Sequence, residues 1–280
     1  MTALTELDEV LRARPIQGAV NLAGYESAAT PLFDGSKSDA KSALADMSED
    51  LFDAHELLYA EAQRSVLLVL QGLDCSGKNG TIKHVVINMN PAGVRVSSYK
   101  EPTEEEAKQH FLERFRPNLP APGQLGVFDR SYYEDVIVPV VDETEPSEVV
   151  ERRIGEINEF ERCLVDDGVT LVKCLLHLSY DEQRERFLRR LRRDDKRWKF
   201  AESDLDTRRS WNEYQAAYGA AVAATSTDHA PWYVIPADHK WYRNWVIAKL
   251  LLATFDSLGA SYPQPGFDLD ELRRRLEPPH

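Results

Sequence analysis

Five consecutive aliphatic residues, Val66 to Leu70, are followed at once by a glycine-containing loop. A run this short and this apolar, bounded by turn residues, predicts a strand buried on both faces, as in a parallel sheet. Upstream, Leu44, Met47, Leu51, Ala54, Leu57 and Leu58 recur three or four apart and predict an amphipathic helix from Asp39 to Gln63 that leads into the strand. Downstream, a helix over Thr81 to Asn88 stops near Asn90, Pro91 and Gly93, and Val94 to Tyr99 alternate as a second strand. Thr103 reads as an N-cap for a helix with Phe111, Leu112 and Phe115 on its apolar side. On that helix, Arg114 and Arg116 either reach back to phosphate or form a solvated face.

Further strands follow at Leu125 to Asp129, Val169 to Leu176 and Trp232 to Pro236. They alternate with helices over Pro146 to Asp166, from Tyr180, over Asp204 to Thr225 and through Leu258. Trp211, Tyr214, Tyr218 and Val222 make the apolar stripe of the third of these, read as core rather than as a base-stacking platform. The alternation predicts an α/β protein, a three-layer sandwich with a central parallel sheet, helices on both faces and right-handed crossovers. Ligands bind such sheets at the carboxyl ends of the strands, where Gly72, Asp129 and His177 fall. His177 reads as a satisfied structural histidine. The pattern divides the chain into an irregular N-terminal extension, 1–38, a main domain, 39–262, and a tail, 263–280.

The loop after the first strand spells G-x-x-x-x-G-K from Gly72 to Lys78. In that geometry backbone N–H groups converge on an anion, a helix N-terminus adds positive potential and the lysine adds a point charge. Asn79 stands where Ser or Thr ordinarily meets the metal, and Asp74 adds a carboxylate inside the loop. A hard divalent cation prefers one or two carboxylates with phosphate oxygens and water, so Asp74 can replace the missing hydroxyl. The strand end Phe128-Asp129-Arg130-Ser131 offers the second carboxylate such a loop requires, with Arg130 placed to grip a phosphoryl group.

The 280 residues carry a net charge of −13, which disfavours general nucleic-acid binding. Between Arg184 and Lys199, however, nine basic residues face three acids, and most of the arginines have no acid at i+4. One positive patch on an acidic body focuses an anion onto one place, and with Trp198 and Phe200 beside it suits a lid closing over phosphates. No run of 18 apolar residues and no secretory signal is present, so a cytoplasmic protein without a membrane partner is expected. Three cysteines without metal-ligand spacing argue against a disulfide frame, and Cys75 reads as a small residue that fits its loop.

Four stretches, Gly72 to Ile82, Phe128 to Val136, Lys196 to Phe200 and Ala230 to Ala237, make the chain resemble family 2 of the polyphosphate kinases. The likeness spans roughly Asp39 to Pro265, and it implies a P-loop kinase-like three-layer sandwich whose phosphotransferase domain, 39–262, carries a helical lid at about 180–210. Cys75-Ser76 and Glu113 depart from the small residues and the tryptophan usual there, without removing a proposed catalytic group. The resemblance implies reversible transfer of the terminal phosphoryl group of inorganic polyphosphate to nucleoside mono- or diphosphates, AMP and ADP first and GMP or GDP as further acceptors. It implies Mg2+, with Mn2+ as a substitute, held by Asp74 and Asp129. It assigns catalysis to Asp74, Lys78, Asp129, Arg130 and Arg190. Polyphosphate falls to Gly72, Ser76, Gly77, Lys78, Asn79, Gly80, Thr81, Lys83, Arg130, Lys196 and Lys199, and the purine nucleotide to Arg114, Arg190 and Asp204. Similar proteins assemble as homodimers or homotetramers. Two other readings stay open: an ATP-dependent nucleotide kinase of the thymidylate-kinase type, and a nucleotide-binding switch, although a switch usually has Ser or Thr after the loop lysine.

Overall fold

The computed structural model describes residues 2–15 and 18–277; residues 1, 16, 17 and 278–280, parts of the expected extension and tail, lie outside the described residues. Its centre is β1, Ser65–Gln71, every residue of which is buried. β1 lies between β3, Leu125–Asp129, and β4, Val169–His177, while β2, Val94–Ser98, and β5, Trp232–Pro236, form the edges. All pairings are parallel, with order β2-β3-β1-β4-β5, and Leu70 stands opposite both Asp129 and Cys174. The carboxyl ends of β1, β3 and β4 therefore meet at one rim.

Side chains of β1 alternate between two cores, as the two-residue period of a strand requires. Val66, Leu68 and Leu70 meet α1, Ala3–Leu11, α2, Lys37–Glu61, and α10, Lys240–Leu258. Leu67 and Val69 meet α4, Glu134–Val141, α5, Ser147–Asp166, and α9, Trp211–Thr225. The result is the expected three-layer α/β sandwich. Under the second core lies a fully buried ionic knot: Lys173 donates to Glu161 at 2.6 Å, and Tyr132 and Tyr133 donate to the same carboxylate at 2.8 and 2.7 Å. Burial lowers the Lys173 pKa, and Glu161 opposes that shift.

Several elements differ from the pattern's expectation. The irregular N-terminal segment contains α1, whose Leu7 and Leu11 enter the core, and Arg12 bridges to Tyr233 of β5. Thr103 does cap, exchanging bonds with Glu106 at 2.8 and 3.3 Å, but only a single 3-10 turn, Glu106–Lys108, follows instead of a helix. Residues 104–110 offer one apolar side chain, Ala107, so there is no face to bury that would sustain a helix. The long helix expected from Asp204 is two, α8, Ser203–Arg209, and α9, parted at Ser210. On the α8 side of the break Arg208 turns onto the ring and carbonyl of Tyr180. Between β4 and α8 run α6, Tyr180–Leu191, and the short α7, Asp194–Arg197; α11, Leu269–Leu276, has no buried residue.

Candidate active site

The loop from Gly72 joins β1 to α3, Lys78–His84, so the first turn of that helix opens at the carboxyl rim. Gly77, with φ 115°, takes a left-handed conformation that costs an L-residue strain. Lys78 is buried and folds back, its Nζ donating to the Gly72 carbonyl at 2.5 Å. Asp129, the last residue of β3, accepts from Asn79 Nδ2 at 2.9 Å. The residue that replaces Ser or Thr after the lysine is thus the one that holds the neighbouring carboxylate.

Arg130 follows with φ 62° and donates through Nη2 to Asp74 Oδ1 at 2.9 Å. Burial works against its charge, but Glu134 and then Asp74 outweigh it and raise its pKa above the ordinary value. Asp204, from α8, is 9% exposed and pairs with Arg190 at 3.4 Å. Its pKa is raised, first by burial and then by Asp74. Burial pushes the Cys75 thiol up to about 11, which leaves it a poor nucleophile at neutral pH.

Asp74, Cys75, Gly77, Lys78, Asn79, Asp129, Arg130 and Arg190 line a groove of about 1440 Å³, and Asp204 pairs with Arg190 without lining it itself. Asp74, Gly77, Lys78, Asn79, Gly80 and Lys83 form its loop side, Asp129 and Arg130 its strand side, and Arg190, Lys196 and Lys199 its far wall. The remaining expected residues lie outside it. Ser76 and Thr81 are wholly buried, with Thr81 Oγ1 bonded to the Gly77 carbonyl at 3.4 Å, and Gly72 lines a separate small cavity. Arg114 is no solvated helix residue: its side chain is 6% exposed, lies over the rings of Tyr99 and Phe115, and donates to the Lys100 carbonyl at 3.1 Å. Arg116, by contrast, is half exposed and pairs with Glu113 at 2.9 Å.

The basic segment is less free than an i+4 scan implies. Glu182 pairs with both Arg186 and Arg189, at 2.8 and 2.6 Å, and Asp195 pairs with Arg193 at 2.8 Å. These partners sit at i−4, i−7 and i+2. Among the described residues no group of three or more His, Cys, Asp or Glu could hold a metal. Two carboxylates at the groove, Asp74 and Asp129, are donors of the number and kind a hard divalent cation takes when phosphate oxygens and water complete its shell.

A family model described as polyphosphate kinase 2 matches residues 34–261. The chain belongs to the polyphosphate kinase 2 family. Among its relatives, an AMP/ADP-polyphosphate phosphotransferase from Meiothermus ruber is 47% identical over 254 residues, covering 91% of this chain and 95% of that protein. An ADP-polyphosphate phosphotransferase from Rhodopseudomonas palustris is 38% identical, covering 88% and 89%. The crystal structure of polyphosphate kinase 2 from Arthrobacter aurescens superposes with a TM-score of 0.93 at 39% identity, over 99% of this chain and 98% of that one. The P-loop-like α/β fold is therefore the fold of this family, and the chain is a kinase of the polyphosphate type. Kinase chemistry of this kind works with a divalent cation.

Two features of this family member escaped sequence reasoning. Lys173 stands mid-strand among aliphatic residues, and a lone lysine in such a run signals a buried ion pair. Arg243 lies beneath the phosphate loop, where the spacing of Gly77 and Gly80 hints at a large neighbour that leaves no room for side chains.

Proposed function

We propose that the chain transfers the terminal phosphoryl group of inorganic polyphosphate to AMP and ADP, with guanine nucleotides as further acceptors, reversibly and with Mg2+. The observation that carries this reading is the single groove shared by the phosphate loop, the Asp129-Arg130 strand end and the cations of α6 and its sequel. The extended names of the relatives point to the same donor and acceptors.

Asp74 and Asp129 would hold the metal, which when bound neutralises charge on the phosphates and orients the reacting group. Asn79 keeps the Asp129 carboxylate turned toward it. Lys78 and Arg130 would leave the Gly72 carbonyl and Asp74 to take phosphate oxygens, while loop amides cradle the chain. Arg190, Lys196 and Lys199 would close over the donor as residues 180–210 move as a lid, excluding water. Arg190, held by Asp204, stands on the nucleotide side of the reading. An acceptor phosphate oxygen is already anionic at neutral pH, so alignment and charge neutralisation suffice without a general base. Among the described residues no helix is long and apolar enough to cross a membrane. A cytoplasmic homodimer or homotetramer is part of the same reading; the unpaired edge at β2, with Val96 exposed, and exposed Ile87 are its candidate contact surface.

The decisive assay supplies polyphosphate as sole phosphate donor to AMP, ADP, GMP and GDP in parallel. ADP and ATP are the expected products from the adenine acceptors. Product formed only when ATP is the donor would replace this reading with the thymidylate-kinase type.

A further inference from the structure

Behind the phosphate loop lie two guanidinium groups that neither the loop motif nor the relatives' names single out. Arg243, in the first turn of α10, is 2% exposed. Its Nη1 donates to the Ser76 carbonyl at 3.1 Å, and its Nε and Nη2 donate to Asn244 Oδ1 at 3.2 and 2.7 Å. Arg186, from α6, is 5% exposed and donates through Nη1 to the carbonyls of Cys75 and Ser76 at 2.9 and 3.0 Å. One loop carbonyl is thus held by cations from two different helices.

The Ser76 carbonyl and the Gly77 amide belong to the same trans peptide, so the C=O and N–H bonds point in opposite directions. Pinning the carbonyl onto two guanidinium groups aims the Gly77 N–H away from them, and Gly77 itself lines the groove. The loop is also shaped around Arg243. A Cβ at Gly77 would fall 1.7 Å from its Nη1, and one at Gly80 2.7 Å from its Nη2.

Every hydrogen-bond partner of Arg243 among the described residues is a neutral oxygen. Burial, with Arg186 adding to it, lowers its pKa to about 9. A buried charge without a counter-ion is costly, and the charged group that acts on it, Arg186, has the same sign. Glu182 serves Arg186 at 2.8 Å, which leaves Arg243 as the member without a carboxylate.

We propose that Arg243, assisted by Arg186, is a positioning residue for phosphate binding: a buried cation that fixes the Ser76–Gly77 peptide and is neutralised when a polyphosphate chain occupies the loop. The proposal rests on the donor reading above. It makes the substrate the missing counter-ion, so the free protein bears an electrostatic cost that the bound one does not.

Thermal unfolding of the wild type and of Arg243→Gln, each with and without inorganic polyphosphate, reads this directly; glutamine keeps a donor for the Ser76 carbonyl and removes the charge. The free variant is expected to melt at or above the wild-type temperature, while the polyphosphate-induced rise shrinks by about half or more. In transfer assays KM for polyphosphate rises about tenfold and KM for ADP changes less than about twofold. A lower melting temperature with an undiminished polyphosphate increment would reduce Arg243 to a packing role and overturn the proposal. Arg243→Lys decides the matter if the glutamine variant does not fold: the retained charge should preserve the increment while kcat falls, and loss of the increment sinks the idea. A wild type that polyphosphate does not stabilise defeats the donor reading itself, whereas equal increments in wild type and Arg243→Gln defeat only the role of Arg243.

Discussion

Two cations of the phosphate loop and the neighbouring strand end are parked on the protein's own oxygens: Lys78 on the Gly72 carbonyl, Arg130 on Asp74. Each contact is replaceable by a phosphate oxygen, so removing either partner should affect the reaction far more than the fold. Asp74→Ala and Lys78→Ala are expected to keep the wild-type circular dichroism spectrum and to lose transfer by about 10³-fold or more. Wild-type rates in either would refute the assignment. If Asp129 holds the metal as proposed, its hydrogen-bond partner Asn79 is an outer partner of the kind commonly worth about 10–100-fold in metal affinity. Asn79→Ala should therefore shift the Mg2+ activation curve to higher concentration by that order while leaving the maximal rate less affected, read by titrating metal at saturating substrates.

Among the elements, α2 carries a titratable group into the first core. His55 is fully buried beside Phe255, and burial, only partly offset by a backbone contact to Gly93, lowers its pKa to about 4. An unfolded histidine titrates near 6.5, so the unfolded chain takes up a proton that the folded one refuses. The stability contributed by neutral His55 is complete above about pH 6.5 and is lost as pH falls toward 4, amounting to about 3 kcal/mol. Urea unfolding of wild type and His55→Gln between those limits should show the steeper loss in the wild type; parallel curves would contradict the burial argument. The same scale shows what periodicity reveals. The five strands and the helices around them were legible because each has a sustained apolar face. α1 and α4 were not, because their nine and eight residues are too few for a period, and the turn at Glu106 differs from the expected helix because a cap is a local signal that says nothing about burial. In the candidate site, the loop and the Asp129 strand end could be read from spacing. The ion pairs of α6 and the place of Arg243 could not, since both depend on contacts between distant stretches.

For the whole molecule, the contrast that matters is between a net charge of −13 and a groove walled by Arg and Lys. The body repels polyanions at long range and the groove attracts them locally, and salt weakens the attraction as the screening length falls from about 10 Å at 0.1 M. KM for polyphosphate should therefore rise several-fold between about 0.05 and 0.3 M salt, with a smaller change for ADP. Equal responses for both substrates would place the chain's binding elsewhere.

The N-terminal helix has a further consequence. Asp8 accepts a hydrogen bond from Tyr233, 225 positions later, and Leu7 and Leu11 rest on a core that includes residues of α10. During synthesis α1 has no landing place until the chain as far as Tyr233 and α10 has followed it. A segment made well before the strands that receive it is thus among the last to be secured, and a lesion in α1 would burden a late step of maturation while leaving the assembly of the central strands untouched.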